Sequence, residues 1–122
     1  MQYKIDVMTD ELDLARAADA YALDYLATVD DRPVFPSDES LDLLTGFDER
    51  LPEGGDDGAI ILQQMHAVGS PNTVVSNGPN YFGFVIGAAL PVAAAAERLM
   101  LAWDQCASSP DGSPRTRTFS FN

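Results

Sequence analysis

Cysteine, histidine, tryptophan and lysine each occur once in these 122 residues. The lone Cys106 excludes an internal disulfide framework and a Cys-based zinc cluster, and it reads as a small apolar filler. The lone His66 has no second His or Cys to share a metal with, so it reads as a structural or surface histidine. A Schiff-base enzyme needs a lysine, and Lys4 stands at the very start of the sequence. Positive charge is scarce as well, with 7 basic against 19 acidic side chains. The excess sits entirely in residues 1–57, where 16 acids face Lys4, Arg16, Arg32 and Arg50 for a net −12. Residues 58–122 balance Glu97, Asp104 and Asp111 against Arg98, Arg115 and Arg117. A field of that sign repels phosphate backbones, so nucleic acid is disfavoured as a partner. No polybasic anchor for a membrane surface is present either.

Long apolar runs are also missing. Residues 67–96 carry no charge, but Gly69, Pro71, Asn72, Asn77, Gly78, Pro79 and Asn80 break them up. Only 81–96 is continuously apolar or small; it falls short of the about 20 residues of a membrane span, and Pro91 interrupts it. The opening MQYKIDVMTDELDLAR lacks the basic start and apolar core of a secretory signal. These features predict a soluble cytoplasmic protein that buries its uncharged segment. Apolar residues make up 46%, which argues against wholesale disorder, and the length suits one domain.

The periodicity predicts a mainly α chain of about four helices. Leu14, Ala18, Tyr21, Ala22, Tyr25 and Leu26 recur at three- and four-residue steps, one face of a helix from Asp10 to Thr28 with Thr9 or Asp10 as its cap. Asp13, Arg16, Asp19 and Asp24 fall mostly on its wet side. Arg32-Pro33-Val34-Phe35-Pro36 is an extended strip, because each proline restricts itself and the residue before it. Ser37 is placed to cap a short helix from Asp38 to Leu44, stopped by Gly46. Residues 47–58 form a loop with five acids, but the ligand spacing of a calcium-binding loop is absent.

A third helix is predicted from Asp57 to Val68, with Ile60, Ile61, Gln64, Met65 and Val68 as its face and Gly69 as its stop. Thr73-Val74-Val75 is β-prone and Ser76-Asn77-Gly78-Pro79 is a turn. Tyr81–Gly87 reads as either a strand or an ordered, buried connection, so 73–90 as a whole is expected to be buried. Pro91 suits the first turn of a fourth helix to about residue 105, with Val92, Ala95, Ala96, Leu99, Met100 and Trp103 as its face. From Ala107 onward the chain is polar and rich in Pro, Gly and Ser, and is expected to be a disordered tail. No phosphate loop and no dinucleotide fingerprint occurs. His66 and Cys106, 40 residues apart, do not form a recognisable nucleophile–base pair.

One pattern carries more. Gly78-Pro79-Asn80-Tyr81-Phe82-Gly83-Phe84-Val85-Ile86-Gly87, Leu90-Pro91 and Ala102-Trp103-Asp104-Gln105 together resemble the N-terminal portion of the group II pyridoxal-phosphate-dependent decarboxylases, nearest their bacterial tyrosine or aromatic branch. The resemblance covers roughly residues 12–106. It implies a much longer α/β parent of aminotransferase-like fold type I, whose N-terminal helices pack across a homodimer and whose substrate is an amino acid. By motif position, Phe84, Val85 and Gly87 match residues lining the substrate pocket, and Gly87 stands where relatives carry a hydroxyl residue. The family's cofactor-binding aspartate, stacking histidine and Schiff-base lysine belong to parts outside this sequence. Pyridoxal phosphate is therefore expected in the parent and not on this chain alone. The resemblance reads residues 1–106 as a truncated, inactive dimerisation and pocket segment. The composition alone also allows a small acidic helical interaction module, which would cover its apolar 81–103 region with a partner.

Overall fold

The computed structural model describes residues 2–105, with side chains from Asp10 onward. Cys106 and the tail expected from Ala107 onward lie outside the described residues, as does the boundary drawn between them. The chain divides into two units, Met1–Ile86 and Gly87–Asn122. Helices dominate the described residues of each, and no strand forms among them.

In the first unit, α1 spans Gln2–Ala27. It starts well before the predicted cap at Thr9 or Asp10, because residues 2–9 contain no proline or glycine to stop a helix from propagating. It ends where the Thr28 hydroxyl turns back on the Asp24 carbonyl at 2.9 Å. α2 spans Asp38–Asp42, and the Ser37 hydroxyl accepts from the Ser40 amide at 3.1 Å, the predicted cap. The chain then tightens into a 3-10 turn, Leu43–Phe47, that runs through Gly46 instead of stopping there.

α3 spans Gly58–Gln64, capped by Asp57, whose carboxylate accepts from the Ala59 amide at 2.9 Å. It widens into a π-helical turn, Met65–Gly69, and closes with a 3-10 turn, Ser70–Asn72. Gly69 keeps a right-handed φ of −72°, so it is no stop. Of the predicted face, Gln64 and Val68 are half-buried, whereas Ile60, Ile61 and Met65 are exposed; Leu62 and His66, outside that face, are half-buried as well.

Polar contacts join these elements more than a core does. The Asn72 amide donates at 2.7 Å to both the Ser40 and the Val68 carbonyls, which ties α2 to the end of α3. Gln64 donates to the Gly46 carbonyl at 2.7 Å. Thr73-Val74-Val75 makes no strand, but the Val75 amide donates to Val34 of the proline strip at 3.0 Å. Val75, 4% exposed, is the one buried hydrophobic residue among those described.

The expectation of a buried 73–90 connection fails beyond Val75. Phe82 is 90% exposed, Phe84 89% and Val85 fully so. The cause is geometric. The turn at Ser76–Pro79 carries the chain past α1, where the Asn80 amide reaches the Asp30 carbonyl at 3.5 Å. Among its described residues, the unit offers no further element to lie over Phe82–Ile86.

In the second unit, α4 spans Pro91–Trp103 with Pro91 in its first turn, as predicted. Asp104 adopts a left-handed φ of 46° and ends the helix short of residue 105. The face expected to be buried is bare, since every residue of α4 is exposed.

Candidate functional site

An open groove of about 550 Å³ lies between α1 and the helix beginning at Gly58. Its walls are largely apolar, from Ala18, Ala22, Leu26, Leu62 and Met65, and its polar corner is built from Tyr21, Tyr25, His66, Ser70 and Thr73. Close approach at one end depends on Gly58, where an added Cβ would lie 3.1 Å from both methyl carbons of Leu14.

His66 stands at the centre of the polar corner, its side chain 24% exposed. Its ring stacks on Tyr21 with centroids 4.5 Å apart and planes 17° from parallel. Nδ1 lies 2.8 Å from the Ser70 hydroxyl, and Nε2 lies 3.4 Å from Asp24 Oδ2. A carboxylate beside Nε2 favours the tautomer with its proton there, which leaves Nδ1 to accept from the Ser70 O–H. The contact is possible because His66 and Ser70 are one helical turn apart and Asp24 belongs to the facing helix.

Arg32 closes the corner from the other side. Its Nε donates to the Thr28 hydroxyl at 2.9 Å, its Nη1 reaches the Ser70 carbonyl at 3.5 Å, and its guanidinium stacks 4.3 Å from the centre of the Tyr25 ring. Asp24 Oδ2 is 3.9 Å away, so that oxygen faces both Arg32 and the His66 ring. The Tyr25 hydroxyl shares a 2.7 Å hydrogen bond with Thr73. Asp24 is therefore not only a wet-side acid, although its side chain remains 59% exposed.

On sequence grounds His66 and Cys106 make no nucleophile–base pair. The structure pairs His66 with Ser70 instead. Their four-residue spacing is visible in the sequence, but the arrival of Asp24 and Arg32 from another helix and its following turn has no local signal. Among the described residues, no group of three or more His, Cys, Asp or Glu could hold a metal ion. No helix among them is long and apolar enough to cross a membrane.

The residues singled out by resemblance lie elsewhere. Phe84 and Val85 both have φ of 54°, a left-handed conformation that β-branched Val85 adopts only under strain. Gly87 does not have a positive φ, and an added Cβ there would meet nothing within 4 Å. Phe84 and Val85 belong to the end of the first unit and Gly87 opens the second. No family model, no curated protein and no solved structure matches the chain.

Proposed function

We propose that this chain is the N-terminal dimerisation and substrate-pocket segment of a cytoplasmic pyridoxal-phosphate-dependent amino acid decarboxylase with a fold-type I parent, inactive by itself. The observation that carries this reading is the state of Phe84 and Val85. Both are bare, both sit at φ of 54°, and both are residues that the resemblance assigns to the pocket. A backbone held in such a region costs on the order of 1–3 kcal/mol per residue and persists where surrounding structure compensates it. An exposed Phe-Val pair does not compensate itself, so its cover comes from a further body of protein. In the parent reaction this segment shapes the substrate side, and the cofactor that serves as electron sink is held by other parts.

Complementation tests the reading. A group II decarboxylase lacking its own N-terminal segment is mixed with this chain, and release of CO2 from an aromatic amino acid is followed. Recovery of decarboxylation, lost again with Phe84→Asp, is expected. Failure to bind the large domain at micromolar concentration overturns the reading.

The second reading, a helical interaction module, is favoured by α4, whose Leu99, Met100, Leu101 and Trp103 are all exposed. It requires self-association or a partner without any decarboxylase partner domain. A stable monomer in sedimentation at micromolar concentration counts against it.

A further inference from the structure

Ser70, His66 and Asp24 stand in the order of nucleophile, base and orienting carboxylate, at 2.8 and 3.4 Å. We propose that Ser70 is an acyl-accepting nucleophile activated by His66, with Asp24 as a positioning residue, and that the α1–α3 groove takes the apolar acyl chain of an ester. Three independent observations converge on this site. The ring of His66 is held by the Tyr21 stack on its face and by the hydrogen bond between Nδ1 and the Ser70 hydroxyl, with Asp24 Oδ2 3.4 Å from Nε2. Ser70 and His66 both line the groove, so an acyl group seated on Leu62, Met65 and Ala22 can reach the hydroxyl. His66 also occupies a π-helical turn, a distortion that recurs at functional sites because it re-aims side chains.

The chemistry is acyl transfer. Ser70 Oγ forms a bond to the ester carbonyl carbon while His66 Nδ1 takes the hydroxyl proton. The bond from that carbon to the leaving oxygen then breaks, and the departing oxygen keeps the electron pair and receives the proton from His66. Water repeats the sequence on the acyl-serine, again through His66, and frees the carboxylic acid. The Ser70 amide donates to the His66 carbonyl, so it is not available to stabilise an oxyanion. The site therefore suits esters with good leaving groups and turns over slowly after the first acylation. The inference rests on the first unit alone and is independent of the decarboxylase reading.

The test uses the full 122-residue chain and p-nitrophenyl butyrate. Expected is a burst of nitrophenolate matching the amount of chain, with the butyryl group mapped to Ser70 by peptide mass analysis. Ser70→Ala loses the adduct, while Ser70→Cys takes the acyl group as a thioester. His66→Ala slows acylation by about 100-fold, and added imidazole restores part of the rate. Asp24→Asn slows it by about 10-fold at saturating ester without raising the half-saturating concentration, as expected of a residue that only orients the base. Butyrylation confined to Lys4 or the N-terminal amine overturns the proposal. So does Ser70 labelling at the unsubstituted rate in His66→Ala, or a slowed His66→Ala that imidazole does not rescue. Circular dichroism of each variant separates lost chemistry from lost fold.

Discussion

Tyr21–Ala27 of α1 and Tyr81–Ile86 are comparably rich in aromatic and aliphatic residues, yet they are treated differently. Around the first, every aromatic ring meets a specific partner. Tyr21 stacks on His66, and Tyr25 holds Arg32 on its face and Thr73 at its hydroxyl. Along the second, Phe82, Phe84 and Val85 project from the chain with almost nothing against them. The difference teaches that apolar content alone does not organise this chain. What organises it is the set of polar groups that α1 and the 57–75 segment offer one another. These contacts are directional, and each net hydrogen bond contributes only about 1 kcal/mol, so the first unit is stapled together instead of being filled.

That contrast can be broken or sharpened by experiment. The largest loss is expected from Arg32→Ala, which removes at once the Thr28 and Ser70 contacts and the stack on Tyr25. A cost of roughly 2–3 kcal/mol in urea unfolding is expected, from the 2.9 Å hydrogen bond to Thr28 and the cation–π contact, the 3.5 Å contact to Ser70 adding little. Val75→Ala should cost about 2 kcal/mol, since it deletes two methyl groups from the one buried hydrophobic site among the described residues. An effect below about 0.5 kcal/mol in either variant, within the range of ordinary surface substitutions, would show that the stapled region is not what holds the unit together.

Asn72→Ala should follow at about 1–2 kcal/mol, for two backbone carbonyls lose their donor. The loss is softened because Asn72 Oδ1 is itself buried without a partner. On the bare side the sign should reverse. Val85→Gly relieves a left-handed β-branched residue and should raise stability by up to about 1 kcal/mol, less the entropy that glycine adds to the unfolded chain. Leu101→Glu, at a site 80% exposed, should stay within about 0.5 kcal/mol of the unsubstituted chain while weakening any self-association in sedimentation. A loss of several kcal/mol there would mean that α4 is covered in solution, and the contrast would fail.

Much of the helical layout is legible in the order of residues. Ser37 capping α2 and Pro91 opening α4 need only neighbours within a turn, and the 3.6-residue period of α1 places Leu14, Tyr21, Ala22 and Tyr25 on its inward side. Two expectations fail. A regular helical period puts Ile60 and Ile61 on the inner face of α3, yet both are exposed, and Leu62 lines the groove beside α1 instead. Apolar character puts Phe82–Ile86 in an interior, but burial requires a second surface, and the described part of the first unit leaves none over them.

The Ser37 cap, the Pro91 start of α4 and the lopsided charge follow from interactions spanning four residues or fewer, or from a simple count, and these the amino-acid order settles. Which side chains meet across the chain does not follow from local order. Asp24, Arg32, His66 and Ser70 become one cluster because α1, its terminal turn and the helix from Gly58 fold against each other. That juxtaposition, with contacts of 2.8 to 3.9 Å between residues as many as 42 positions apart, exists only once the elements have docked.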